Sequence, residues 1–524
     1  MIAEEIGSKT EPTRTVPPRT PWGLRLALLS GLLLWLANPP AGLWPLAWVA
    51  LAPLVVSVLR ARHFAQAAWR GYLFGWAFLG PLWYWIGLTI SAWTGSAIGW
   101  IAWFGLTFIL AGFFALWAGV AWWLDRNVPE QWAVTALAAA WVVMEWARTL
   151  GPLSMPWAQL SYTQYRFLPI LQIADFTGAY GVSFLMMLVN GALAYFWMGR
   201  DQPLRPRRLW AACTLSVMVC LYGLARLQQH DVGPSLQVAD LQTNVSSYQT
   251  PSPATQLQIM NHLAMKAKAH APAPQLYVFP ESASPYDPIQ NPSGYLFFQQ
   301  LAKTTNAAIL TGAEIYAKGA DHNAAVLFAP ELAHPQVYFK QQLVPFGEFI
   351  PFRSLLSPLF GRLFNFPTTD LTPGRHGRPL QTTLSNGVSL TIGPFICYES
   401  MYPARVRSFT RRGASLLVTI SNDSWFLSRA AMQQHLAAVV LRAIENRRQV
   451  VRSTTTGITC MIDAEGHLLA RLPINQEGFL VHPMCLLHGQ TPYVRFGDWF
   501  VGLCALLLGG LFIVQTWKRK ADQP

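Results

Sequence analysis

Apolar and polar positions divide the chain into two regions of different texture. From residue 22 to 227, and again from 497 to 516, apolar runs come close to or exceed the length of about 20 residues needed to cross a bilayer as a helix, with short polar or proline-bearing links between them. Their positions predict eight spans, at 22–38, 43–60, 68–90, 96–124, 131–149, 167–198, 209–227 and 497–516, the sixth long enough to begin with an interfacial segment. Between 228 and 496 the period shortens. Runs at 236–241, 276–279, 308–311, 324–328, 337–340, 389–396, 415–420 and 457–462 read as strands, and helical patterns at 254–268, 294–304 and 430–446 separate several of them. That alternation predicts an α/β domain built on an internal sheet. Residues 1–20 are polar and read as a disordered tail without the apolar core and cleavage site of a removed leader; 517–524 form a second short tail.

Composition sharpens this division. Charged residues make up 12% of the chain and apolar ones 52%, where a soluble domain carries roughly 25% charged residues, so many side chains are expected to face lipid. The 23 tryptophans concentrate in the first 160 residues, as belts at membrane interfaces would. Three basic clusters follow apolar runs: Arg60 and Arg62; Arg200, Arg205, Arg207 and Arg208; and Lys518, Arg519 and Lys520. Putting all three in the cytoplasm satisfies the positive-inside rule with eight spans. The domain 228–496 then lies on the opposite face, the periplasm of a bacterium whose inner membrane holds the chain. The net charge of +13 fits such anchors and anionic headgroups. Nucleic acid is not an expected partner, because no run interleaves dense Lys/Arg with aromatics. The six cysteines form no CxxC pair and the eleven histidines no HExxH motif, so a metal site is not expected.

Three polar residues fall at the ends of predicted strands: Glu281 in YVFPES, Lys340 in VYFKQQ and Cys397 in LTIGPFICYES. Strand ends and the loops beyond them are where α/β domains carry reactive groups. Taken singly, the cysteine reads as a small buried hydrophobe and the two charges as solvated strand ends. Together they can form a nucleophile, its base and a cation. The cation would favour the Cys397 thiolate and then an oxyanion, while Glu281 would take the thiol proton.

That trio, in this order, resembles the nitrilase superfamily. LVPFGEFIP, with Glu348, CYES, with Tyr398 and Glu399, SNDSWF at 421–426 and RAIENRR at 442–448 extend the likeness. With the apolar spans, and with MPWAQLSYTQ and ADFTGAYGVSF in the first half, the whole chain from about residue 22 to 516 resembles the apolipoprotein N-acyltransferase family. The resemblance implies a bundle of about eight transmembrane helices and an extracytoplasmic α-β-β-α sandwich. It implies a two-step transfer through a Cys397 thioester, from a phospholipid such as phosphatidylethanolamine to the α-amino group of a diacylglyceryl-modified N-terminal cysteine. Glu281 would be the base and Lys340 the oxyanion partner. Glu348 would orient Lys340 or share its protons, and no soluble cofactor would be needed. Tyr398 and Glu399 are expected to shape the nucleophile turn, Glu399 equally by a salt bridge. Trp425, Asn323, Asn422 and Trp157 are candidate substrate contacts, although Trp425 and Trp157 also fit plain packing or an interfacial belt. His435 and Cys460 read as structural. Two positions depart from the family pattern. Leu427 replaces a glycine after the Asn-Asp-x-Trp-Phe motif, and Tyr248 is the aromatic near the first strand where tryptophan is usual.

A membrane-tethered amidase would use the same trio with water as acceptor, and a transporter or scaffold would need no nucleophile. Eight spans favour transfer between two lipidic substrates, with the protein acting as a monomer. The segment 349–371, FIPFRSLLSPLFGRLFNFPTTDL, is too apolar for a free surface loop. It is expected to lie on the outer leaflet as an amphipathic arm with Arg353 and Arg362 at phosphate level, or else to pack on the domain core.

Overall fold

A computed structural model describes residues 22–152, 154–199, 205–229, 231–354 and 370–521. Most of the apolar arm, 355–369, lies outside the described residues, as does the tail 1–20. Its two flanks are described. Arg353, expected at lipid phosphate, donates instead to Asp370 through Nε at 2.9 Å, and so ties the ends of the segment together.

The α/β domain is two six-stranded mixed sheets packed face to face. The first runs β12-β1-β2-β3-β4-β5, from β1 (Ser235–Gln242), β2 (Leu276–Val278), β3 (Ala308–Ala317), β4 (Ala320–Phe328) and β5 (Gln336–Phe339) to β12 (Gly478–Cys485). The second runs β11-β10-β9-β8-β7-β6, from β6 (Leu380–Thr383), β7 (Ser389–Ile396), β8 (Leu416–Ser421) and β9 (Val450–Thr454) to β10 (Cys460–Ile462) and β11 (Leu468–Arg471). Each sheet has three parallel central strands, β1-β2-β3 and β7-β8-β9, and antiparallel edges. Parallel strands are buried on both faces and therefore read as continuous apolar runs. β8 (LLVTIS) and β9 (VVRST) are buried throughout. β1 faces β9 across the sandwich, where the Ser453 hydroxyl donates to the Leu241 carbonyl at 3.0 Å. Helices Pro253–Lys268 and Pro292–Thr305 cover the first sheet through Met260, Leu263, Phe298 and Leu301. Pro403–Arg411 and Arg429–Asn446 pack beside the second.

The remaining helices are apolar, but they do not divide into eight equal spans. Among the described residues, four are long and apolar enough to cross a membrane: Ile98–Asn127, Ala179–Met198, Pro206–Leu227 and Trp499–Trp517. Phe64–Leu82 and Tyr84–Thr94 join across a 52° bend and make a fifth candidate. The expected first span is the 15-residue helix Gly23–Ala37, about 22 Å long, which is short of a hydrocarbon core of about 30 Å. The second, Trp44–Leu59, is also short and changes from a 3-10 turn to an α-helix around Pro53. The fifth becomes Glu130–Ala147, which carries Glu130 and Glu145. The sixth starts with two four-residue turns of helix, Leu168–Leu171 and Ala174–Thr177, before Ala179–Met198.

The two parts share one apolar core. Helix Arg429–Asn446 forms the seam. Every residue of it from Ala430 to Asn446 is buried except Gln433. Gln434 accepts from the indoles of Trp157 (2.8 Å) and Trp85 (3.3 Å) and donates to the carbonyls of Pro39 and Leu82. Glu445 accepts from the Ala179 N–H at 3.0 Å and from Arg442 at 2.9 Å. Arg447 pairs with Asp175 at 3.0 Å. The RAIENRR motif is thus mainly a docking surface for the helical half.

Candidate active site

The four groups that converge on the site leave the carboxyl ends of β2, β5, β7 and β8. Glu281 lies three residues beyond β2. Its loop folds over Gly312 of β3, where an added Cβ would stand 2.5 Å from the Glu281 Cα, so only glycine fits. Lys340 follows β5 directly, and its N–H bonds to the Asn323 carbonyl of β4 at 2.8 Å. Cys397 follows β7 with φ of +49°. That left-handed backbone is costly for a residue with a side chain and turns the thiol sharply out of the strand. Glu399 fixes the turn. Its carboxylate accepts from the Ile396 N–H (2.7 Å), the Gln341 and Gln342 N–H groups (2.7 and 3.2 Å) and the Tyr338 hydroxyl (2.7 Å). Of the two roles expected for Glu399, the structure shows the turn-shaping one: three of these hydrogen bonds join the nucleophile turn to β5 and the Lys340 loop.

Lys340 is 1% exposed. Its ammonium donates to Oε1 of Glu281 at 3.1 Å and to Oε1 of Glu348 at 2.8 Å. The Asn323 amide donates to the same two oxygens, at 2.7 and 2.9 Å. The other oxygen of Glu281 accepts from the Asn422 N–H at 2.7 Å, and that of Glu348 from the Val344 N–H at 2.8 Å. Burial alone would lower the Lys340 pKa, but the charges of Glu281 and Glu348 outweigh it and hold the ammonium protonated.

The thiol differs from the sequence expectation. Burial, and next the Glu281 charge, push the Cys397 pKa well above that of an ordinary thiol; Lys340 and a hydrogen bond with Ser421 pull it down by less. Burial thus favours the neutral thiol, with the Glu281 carboxylate near it, over a preformed thiolate. A raised pKa means that the reactive form grows in only at alkaline pH. Alkylation of Cys397 by iodoacetamide should therefore keep accelerating past pH 9, without the plateau near neutrality of an activated thiolate. Glu281→Gln removes one of the raising charges, so its profile should move to lower pH. An acid-shifted plateau in the wild type would contradict this.

The other predicted residues divide. Asn323 and Asn422 bond within the protein: Asn323 braces the carboxylates, and the Asn422 side chain is taken up by Ser247, Ser424 and Thr455. Tyr398 donates to the Ser154 carbonyl at 2.9 Å and ties the nucleophile turn to the helical half. Trp157 is 3% exposed and stacks on His435 with ring centroids 5.7 Å apart, away from any exposed interface. Trp425 is 37% exposed, between Tyr248 at 6.2 Å and Trp93 at 5.7 Å.

Sequence reasoning missed one supporting network. The His435 imidazole contacts the Cys397 carbonyl at 3.0 Å and the Ser400 hydroxyl at 2.6 Å. Its other nitrogen faces Asp423 at 3.5 Å, which pairs with Arg452 at 2.8 Å. Burial, then the Arg452 charge, lower the His435 pKa and keep it neutral. The available signal was Arg452 itself, since an arginine inside the apolar strand VVRST needs a buried partner. Among the described residues no group of His, Cys, Asp and Glu could hold a metal ion.

Two facing mixed sheets with a Glu–Lys–Cys cluster at their strand ends define a domain of the carbon–nitrogen hydrolase type, and residues 237–486 match the carbon-nitrogen hydrolase family. Residues 30–192 match the apolipoprotein N-acyltransferase N-terminal domain. The apolipoprotein N-acyltransferase of Geobacter metallireducens is 34% identical over 91% of this chain and 92% of its own length. That of Azotobacter vinelandii is 32% identical over 96% and 97%. Among solved structures, Saccharomyces cerevisiae Nit3, a member of branch 10 of the nitrilase superfamily, aligns at 18% identity and a TM-score of 0.39 over 48% of this chain and 90% of that one. The chain belongs to the apolipoprotein N-acyltransferase family and is an acyltransferase.

Proposed function

We propose that this acyltransferase N-acylates lipoproteins in two half-reactions through a Cys397 thioester. In the first, the sulfur attacks the sn-1 ester carbon of a phospholipid, of which phosphatidylethanolamine is the expected donor. Glu281 takes the thiol proton and returns it to the departing glycerol oxygen, which leaves as a lysophospholipid. In the second, the α-amino group of a diacylglyceryl-modified N-terminal cysteine attacks the thioester carbon. Glu281 moves the amine proton to the leaving sulfur, and an amide remains. Lys340 faces the oxyanion in both steps. Glu348 keeps Lys340 charged and oriented while Glu281 changes protonation. No cofactor enters either balance.

The observation that carries this reading is the buried Glu281–Lys340–Glu348 cluster beside a cysteine held at positive φ. A neutral thiol with an adjacent base suits an ester substrate, because proton removal and attack can proceed together. Trp425, flanked by Tyr248 and Trp93, is the candidate wall for an acyl chain. We read the apolar helices as eight spans of the bacterial inner membrane, the shorter ones completed by flanking residues, with 228–496 on the periplasmic side. The three basic clusters support that orientation. Mass spectrometry of the purified protein after incubation with phospholipid alone tests the first step. A mass gain of one acyl chain, absent in Cys397→Ala, is expected; acyl transfer to peptide without any acylated protein intermediate would overturn the mechanism.

A further inference from the structure

Two clefts of the α/β domain adjoin each other, and neither has Cys397 in its lining. One, of about 470 Å³, is lined by His376, Arg378, Gln381 and Arg412. The other, of about 200 Å³, is lined by Gln341, Arg375, His376, Arg405 and Arg412. His376 and Arg412 belong to both, so they form one groove between the segment 375–381 and the helix Pro403–Arg411. Four guanidinium groups and an imidazole converge there, all on exposed residues. Among the described residues none of these five side chains has a carboxylate within ion-pairing distance, whereas Arg353, Arg442, Arg447 and Arg452 all do. Four uncompensated arginines in one concavity repel one another unless an anion joins them, and the planar guanidinium fork suits phosphate oxygens.

Position says which phosphate. The other side of the same helix faces the entry to the last apolar helix: Arg407 donates to the Val494 carbonyl at 3.2 Å and lies over the Tyr493 ring. The short helix Pro492–Phe496 leads directly into Trp499–Ala521, on which Leu503, Leu506 and Phe512 are exposed. At the N-terminal end of the arginine helix, Tyr402 bonds Ser154 of the helical half at 2.8 Å. The groove therefore lies one helix away from the point where the last apolar helix joins the α/β domain.

We propose that this groove binds the phosphate of an anionic phospholipid headgroup, at a lipid site separate from that of the acyl donor. Arg378, Arg405 and Arg412 grip the phosphate oxygens, and Arg375 and His376 close the rim. Among the groove's lining residues Gln341 adjoins the catalytic cluster, its N–H bound by Glu399. The inference rests on reading the chain as a membrane enzyme, and its test keeps the two apart.

Full-length protein in neutral detergent is titrated with short-chain phosphatidylglycerol and, in parallel, with short-chain phosphatidylcholine and inorganic phosphate. Acyl transfer from short-chain phosphatidylethanolamine is measured on the same samples and reports the folded catalytic site. The wild type should prefer phosphatidylglycerol, and Arg378→Glu/Arg412→Glu should weaken its binding by about tenfold or more, as loss of charge-assisted bonds does, with acyl transfer from the soluble donor unchanged. Arg378→Gln/Arg412→Gln should show an intermediate loss if charge reversal perturbs the fold. Equal phosphatidylglycerol binding by wild type and both variants overturns the proposal. So does displacement of the lipid by inorganic phosphate at equal concentration, or a variant defect confined to an acidic peptide. Loss of acyl transfer in the wild type would count against the proposed function and not against the groove.

Discussion

Cys397→Ser should cut acyl transfer by at least about 100-fold, the scale on which removing a nucleophile or its acid–base partner acts, while the protein still folds. The hydroxyl occupies nearly the volume of the thiol and can keep the Ser421 hydrogen bond, and neither the +49° backbone nor the Glu399 clasp depends on sulfur. What changes is acidity. The site already raises the thiol pKa, and an alcohol starts far higher, beyond the reach of a carboxylate base. Cys397→Ala should be equally inactive and should carry no acyl adduct. Peptide acylation at the wild-type rate by either variant would remove Cys397 from the mechanism.

Lys340→Ala should be as damaging, again by at least about 100-fold, but for a different reason. The ammonium separates two carboxylates that share the Asn323 amide. Without it, like charges face each other in a buried space and one carboxylate takes up a proton near neutrality. The residual rate should then rise with pH, because the base becomes free only above its elevated pKa. Lys340→Arg should fail almost as completely, since a planar guanidinium does not fit where a compact ammonium is 1% exposed between two acceptors. Near-normal transfer by Lys340→Arg would reduce Lys340 to a general positive charge.

The residues of this cluster were legible in the sequence wherever strand and motif coincide. β7 is a buried run from Ile392 to Ile396 and stops at CYES; β5 stops at Lys340. Contacts made across the sheets were not legible. Asn323 stands opposite Glu314 in the β3–β4 hairpin, and nothing local to either indicates that its amide spans Glu281 and Glu348. β12, at the far end of the domain, pairs with β1 some 240 residues earlier, and its half-buried edge pattern, with Pro483, hides the alternation. The helix Pro403–Arg411 was passed over because three arginines in nine residues mask the small apolar stripe of Val406 and Phe409. Span boundaries were not legible for a related reason. Apolar runs give total hydrophobic length but not where the chain bends, as it does after Leu82.

Helix Arg429–Asn446, buried along nearly its whole length, has a consequence for how the protein can be divided. One flank rests on the sheet that carries Cys397, the other on the short helices and loops of the first two hundred residues. It belongs to both parts at once. A gene trimmed to 228–496 would encode a polypeptide with this buried flank turned outward: Gln434 would lose its two indole donors, Glu445 the Ala179 N–H and Arg447 its Asp175 partner. The helical half thus supplies one wall of the catalytic fold, and proteolysis between the parts should yield aggregates where a tethered hydrolase would release an active fragment.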